Sequence, residues 1–144
     1  MAVSDRKIKA ALKAHREWYL SGGLGGQRFV AIESGLRDLV GVQWEDAALV
    51  EADLRGADLR GANLKSADLQ RADLYEADLR AADFTDADLR GADLSSADLR
   101  GADLSEAGML DVDLKSADLR GANLDEVDYL SDANLRGAKL PAGY

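Results

Sequence analysis

The chain has no cysteine, one proline, one histidine and few aromatic residues, and each shortage closes off a class of explanation. Without cysteine there are no disulfides, no thiolate metal sites and no thiol nucleophile, and nothing demands an oxidising compartment; a reducing cytosol fits. The lone proline, Pro141, lies beyond the last clear repeat, as expected of a backbone that needs its N–H donors throughout. Arg6, Lys7 and Lys9 lie near the N-terminus, but no apolar stretch of signal-peptide length follows, and no segment approaches a membrane-spanning run. We expect a soluble, untargeted, cytoplasmic protein. Nucleophilic catalysis needs a base beside its nucleophile, and the only histidine, His15, is predicted to lie on a helix surface; no catalytic residue is assigned.

What is present is repetition. The 144 residues suit one domain, and the apolar 47% is mostly Ala and Leu, which suggests many small identical layers rather than one irregular core. The net charge of −9 is unevenly placed. Residues 1–28 carry six basic side chains against Asp5 and Glu17, a balance of +4, so the remainder carries −13. Such an acidic body lacks the Lys and Arg that neutralise phosphates, which argues against direct nucleic-acid binding.

From Ala52 a five-residue unit recurs: Ala-Asp-Leu-Arg-Gly at 52–56 and again at 57–61, then Ala-Asn-Leu-Lys-Ser at 62–66. Its apolar centres fall at every fifth residue from Leu54 to Tyr129, with Phe84 and Met109 in the same frame. Two residues before each centre stands Ala, or Val at 112 and 127; one residue before stands Asp or Asn, with Gly108 the only exception. A period of five is neither helix nor long strand, so each unit must be a short extended step followed by a turn. Within the step the centre and the Ala share the inner face and the Asp or Asn points outward. Stacked coils would then pair their backbones at about 4.8 Å.

These units resemble the pentapeptide-repeat proteins, whose A(D/N)LXX repeats build a right-handed quadrilateral β-helix. The resemblance covers about two thirds of the chain and implies four units, or twenty residues, per coil. The fold expected is therefore an all-β solenoid with an N-terminal α-helical cap. We divide the chain into a helix and Gly-rich linker over residues 1–24 and a β-helix over 25–144. Within the latter, 25–48 form a degenerate first coil, 49–129 regular repeats, and 133–140 the last repeats after a one-residue insertion. The spacing from Tyr129 to Leu135 is six instead of five, which predicts a bulge or corner. Upstream, Phe29, Leu39, Trp44 and Leu49 keep the frame of the centres while Gln27, Ser34 and Arg37 break it.

Residues 4–20 read as a helix with Ser4 as N-cap, apolar positions at Ile8, Leu12, Trp18 and Tyr19, and a stop at Gly22-Gly23. Solenoid ends expose apolar layers, so this helix, with Phe29 and Trp44, is expected to close one end; the sharper alternative is an amphipathic helix for a membrane or partner. The segment His15-Arg16-Glu17-Trp18 with Ser21-Gly22-Gly23 also resembles a leader preceding the repeats in some bacterial members. Gly22, Gly23, Gly25 and Gly26 lack the Lys-Ser or Lys-Thr of a phosphate loop and read as a linker. The carboxylates recur at one repeat position without converging, so no acid–base pair, metal site or cofactor is assigned.

Twenty residues per coil turns outward positions into columns. Arg60, Arg80, Arg100 and Arg120 share one, predicting a basic ridge beside the small residues Gly61, Ala81, Gly101 and Gly121. The plainer account of this column is relief of repulsion among stacked Asp residues; the sharper is a ridge that docks a partner. The next face carries Lys65 and Ser66, then Asp86, Glu106, Asp125 and Glu126, and is acidic toward the C-terminal end. On a third, Leu110 and Leu130 fall one above the other and are expected to be exposed, a candidate homodimer contact together with the C-terminal end.

The leading functional expectation is a non-enzymatic scaffold whose flat faces dock an unidentified protein partner. The resemblance supplies an alternative, since some family members inhibit DNA gyrase by imitating duplex DNA or protect it from quinolones. Five to six coils at about 4.8 Å make a rod near 27 Å, so −13 is one charge per ~2 Å against ~1.7 Å in B-DNA.

Overall fold

The computed structural model describes residues 5–24, 28–29 and 38–144. Ser4, Gly25, Gly26, Gln27, Ser34 and Arg37 lie outside them.

Each repeat is closed by a turn whose hydrogen bond runs from the first residue of one unit to the centre of the unit before, as in Ala62 N–H to the Leu59 carbonyl at 3.0 Å. The fifth residue has positive φ and the fourth does not (Gly61 at 63°, Glu76 at 55°, Ala81 at 55°), the pattern of a type II turn. Three further N–H groups pair with neighbouring coils: Leu59 donates to Asp78, Gly61 to Arg80 and Asp78 back to Ala57, at 2.8, 2.9 and 3.0 Å. The one left, on the fourth residue, is met by the Asp or Asn two before it, as Thr85 N–H meets Asp83 Oδ1 at 2.9 Å. All five donors of a unit are thereby satisfied, as burial against neighbouring coils demands. This local turn explains why the second position is Asp or Asn: their short side chains reach a backbone N–H two residues on. Gly108 has no such acceptor to offer Leu110.

Parallel bridges link second positions twenty residues apart, from Asp38↔Asp58 to Gly108↔Asp128. They are isolated pairs, and no continuous strand forms among the described residues. The register already holds at Asp38 and Gln43, ahead of the regular run expected from residue 49. It changes once: Asp113 pairs with Asn134 and Asp118 with Lys139, twenty-one residues on. The extra residue is taken up by a 3-10 helix, Leu130–Asp132, entered through Tyr129 at φ 60°.

Centres and first positions fill the interior, with Leu54 through Leu119 at no more than 1% exposure. Each fully buried Leu contributes roughly 1.5–3 kcal/mol. Phe29 is also buried, but not as a centre. Its carbonyl accepts the Asp53 N–H at 2.7 Å, a role that the first-position Ala52 plays for Asp73.

Helix α1, Asp5–Leu20, ends in a Schellman turn: Gly23 N–H donates to the Trp18 carbonyl at 2.8 Å and Gly22 N–H to Tyr19 at 3.1 Å, with Gly22 at φ 63°. Ile8 is buried, and Ala11 and Leu12 pack against the solenoid core. Tyr19, expected to be apolar contact, is instead 44% exposed, and His15, expected on the surface, is fully buried. The physical reason is the helical period: residues 8, 11, 12 and 15 form one stripe, and the histidine joins it by making a buried hydrogen bond.

Candidate docking faces

Four units per coil give the solenoid four sides, each a ladder of equivalent positions. The arginine column stands as its spacing predicts, but it is not a basic ridge. Each guanidinium grips the carboxylate two residues before it through two hydrogen bonds: Arg60 to Asp58 at 2.7 and 2.6 Å, Arg80 to Asp78 at 2.8 and 2.7 Å. Arg100 on Asp98 and Arg120 on Asp118 repeat this at 2.8 and 2.6 Å. The fork also leans on the next coil, with Arg60 Nε 3.7 Å from Asp78 and Arg80 Nε 3.7 Å from Asp98. The side is therefore a neutral zipper in which each positive charge is matched by the stacked acid beneath it. Arg55 on Asp53 and Arg90 on Asp88 make the same pair on other sides.

The pairing shows in the acids. Hydrogen bonds from Arg60, Arg80, Arg100 and Arg120 hold Asp58, Asp78, Asp98 and Asp118 below the usual carboxylate range, against the opposing effect of partial burial. Asp118 is lowered to about 2. The matched guanidiniums are raised for the same reason.

The neighbouring side, built on Trp44, Leu64, Phe84, Leu104 and Leu124, is different in kind. Beyond Lys65 it carries Asp83, Asp86, Asp103, Glu106, Asp125 and Glu126 with no basic residue. None of these carboxylates lies in an ion pair among the described residues; their partners are hydroxyls and amides, such as Ser66 Oγ donating to Asp86 at 3.4 Å. Ser105 Oγ at 2.7 Å and Asn123 Nδ2 at 3.1 Å donate to Asp103, and the Ser105 bond is the main cause of its lowered pKa. This side holds uncompensated charge in an exposed column: Asp86, Glu106 and Glu126.

Leu110 and Leu130, expected to be exposed one above the other, are both half-buried. The 3-10 helix draws Leu130 toward the core, where it packs against the buried cluster. Gly22 and Gly23 serve the end of α1. Among the described residues no three His, Asp or Glu side chains are grouped to hold a metal ion, and no helix is long and apolar enough to cross a membrane.

The family model for pentapeptide repeats matches this chain in eight copies, over residues 38–65, 72–108 and 92–128. The chain belongs to the pentapeptide-repeat family. Among solved structures it is similar to a pentapeptide repeat protein of the Arabidopsis thaliana thylakoid lumen, at 37% identity and a TM-score of 0.50, over 70% of this chain and 63% of that one. It is similar also to HetL, a pentapeptide repeat protein involved in heterocyst differentiation regulation in the cyanobacterium Nostoc sp. strain PCC 7120, at 35% identity and a TM-score of 0.40, over 74% and 63% of the two chains. Likeness to QnrB1, a plasmid-mediated fluoroquinolone resistance protein, is in fold alone: 21% identity and a TM-score of 0.31, over 72% of this chain and 62% of that one. The chain thus spans less than two thirds of the length of these three. No curated protein sequence matches it.

Within the pentapeptide-repeat frame, the sequence locates the columns but not the pairing of what occupies them. The Asp-x-Arg spacing of second and fourth positions is the available signal for the ion pairs, because those side chains leave the same stretch of backbone side by side.

Proposed function

We propose that this pentapeptide-repeat protein is a non-enzymatic interaction scaffold, a right-handed quadrilateral β-helix capped by α1, whose acidic side docks a protein partner with a basic surface. The observation that carries this reading is the contrast between adjacent sides: the Arg60, Arg80, Arg100 and Arg120 guanidiniums are spent on their own carboxylates, whereas Asp86, Glu106 and Glu126 have no cation to give up. A partner meeting the arginine side must break or share internal pairs; one meeting the acidic side gains complementary charge at no such cost. A cytoplasmic location, as the composition suggests, is part of the proposal.

The test compares proteins captured from cell extract by wild type, by Asp86→Asn/Glu106→Gln/Glu126→Gln, and by Arg80→Glu/Arg100→Glu. Loss of specific capture only in the acidic-side variant supports the reading. Loss only in the arginine variant returns the binding role to the Arg ridge, and unchanged capture in both sinks the scaffold as described.

A second reading, a DNA mimic that binds gyrase, draws on the same column, whose carboxylates recur once per coil at about 4.8 Å. Against it, the pairing of Asp58, Asp78, Asp98 and Asp118 with arginine leaves one side of the rod without net charge, unlike a duplex that is negative all round. Micromolar protein that neither inhibits gyrase supercoiling nor relieves its quinolone inhibition eliminates this reading. We also propose a homodimer through the last coil, where Leu135 and Leu140 are half-buried, or through Leu110 and Leu130. Light scattering that returns only monomer mass removes it.

A further inference from the structure

We propose that His15 is an acid-released latch that holds α1 on the first coils of the solenoid. Its ring is fully buried, and Nδ1 accepts the Phe29 N–H at 2.9 Å. Phe29 in turn passes its carbonyl to the Asp53 N–H at 2.7 Å, the position from which the regular coil takes over. The helix is thus tied to the repeats through His15, Phe29 and Asp53 in series.

The tie depends on protonation, because an imidazole nitrogen accepts a hydrogen bond only when it carries no proton. With Nδ1 accepting, the proton of the neutral ring sits on Nε2, which is buried, and the Val50 carbonyl is the backbone acceptor that faces the ring. A second proton on Nδ1 would set two donors face to face and place an imidazolium in a site closed to water.

Among the described residues the charged groups facing the ring are Arg28 and Glu51. Arg28 opposes a second positive charge. Glu51 favours one, but its carboxylate already lies 3.2 Å from Arg71 Nη2. Burial, the largest influence, lowers the His15 pKa from its ordinary value, Arg28 lowers it further, and the Val50 carbonyl and Glu51 pull less strongly the other way. The docked ring is therefore neutral at pH 7. On acidification, below the free-histidine value of about 6.5, the undocked form gains by taking up the proton that the docked form refuses. The ring also stacks on Trp18, with centroids 5.7 Å apart, so release changes the surroundings of an indole.

Hydrogen exchange of the full chain between pH 7.5 and 5, corrected for intrinsic rates, tests the latch. One proton taken up on opening predicts that protection of the α1 amides falls by roughly tenfold per pH unit below the free-histidine pKa until the docked ring itself titrates, while protection of the coils around Leu79 and Leu99 is unchanged. His15→Gln, whose amide oxygen can accept the Phe29 N–H without titrating, should keep α1 protected at both pH values. Wild-type α1 protection that is flat with pH, or that falls equally in His15→Gln, overturns the latch. Ring 15N shifts at pH 7.5 give an independent reading that needs no variant: a proton on Nε2 alone is required, and a proton on Nδ1 refutes it.

Discussion

Arg80 is bound to Asp78 in its own unit through two hydrogen bonds while its Nε lies 3.7 Å from Asp98, the equivalent acid one coil on. One guanidinium thus spans two members of a carboxylate column that would otherwise stack at about 4.8 Å with nothing between them. Replacing Arg80 with Gln should lower the melting temperature by a small amount, and the deficit should grow as salt is reduced, since the carboxylates left behind are only partly buried and salt screens their repulsion. Lys should restore only part of it, lacking the planar fork. Thermal unfolding of the two variants at low and high salt measures this; Arg80→Lys matching wild type would show that the two-bond geometry contributes nothing.

Much of the fold is legible in the sequence. The five-residue period of centres from Leu54 to Tyr129 dictates an extended step and a turn, and the six-residue gap ahead of Leu135 marks where the register changes. The count of twenty residues per coil rests on the family resemblance alone, because any whole number of units per coil satisfies the same period. Three features are hidden for physical reasons. The Asp and Asn of the second position read as outward-facing and uncommitted, since their acceptor role depends on a turn geometry that period alone does not fix. The Arg column reads either as relief of repulsion among stacked Asp residues or as a docking ridge, because the sequence does not say whether each guanidinium is held by the Asp two residues before it. His15 reads as a surface residue by its polarity, although its position seven residues after Ile8 places it on the buried stripe of α1.

Acid should weaken the solenoid through the paired acids. Asp58, Asp78, Asp98 and Asp118 have lower pKa values folded than unfolded, so their contribution is fully present above the unfolded value near 3.9 and is lost as pH falls through the folded values, which for Asp118 lies at about 2. Stability measured by denaturant midpoint should therefore fall between pH 4 and about 2, and carboxyl 13C titration should show Asp118 as a low-titrating acid. An Asp118 that titrates at the free value would break the link between the ladder and acid sensitivity.

Gly108 interrupts the pattern within the regular run, and Leu110 N–H has no side-chain acceptor two residues before it. A Cβ there would meet only Arg90 Cγ and Asp88 Oδ1, both at 3.9 Å, and the residue is not at positive φ. Gly108→Asn should restore the local turn and raise stability by about 1 kcal/mol, from one regained hydrogen bond and a stiffer unfolded chain. Equal or lower stability by chemical denaturation would contradict the assigned role of the Asp and Asn side chains.

The turns make an opposite pair of predictions. Gly61 sits at φ 63° with open space where a Cβ would go, and Ala81 occupies the same position twenty residues on at φ 55°. Gly61→Ala should cost about 1 kcal/mol of backbone strain, and Ala81→Gly should gain a few tenths of a kcal/mol, relief offset by unfolded-chain entropy. Chemical denaturation of both variants decides the matter; a Gly61→Ala protein as stable as wild type would mean that the turn is not left-handed at its fifth residue.

The division into a zippered side and an acidic side rests on the twenty-residue coil, and the absence of native cysteine allows a direct test of it. Thr85 and Ser105 are equivalent positions one coil apart, at a separation of about 4.8 Å that suits a disulfide. Thr85→Cys/Ser105→Cys should close an intramolecular disulfide under mild oxidation, as should Lys115→Cys/Arg136→Cys across the one-residue register change, whereas Thr85→Cys/Arg100→Cys should stay reduced. A bridge between 85 and 100 in place of 85 and 105 would contradict the coil and every face built on it.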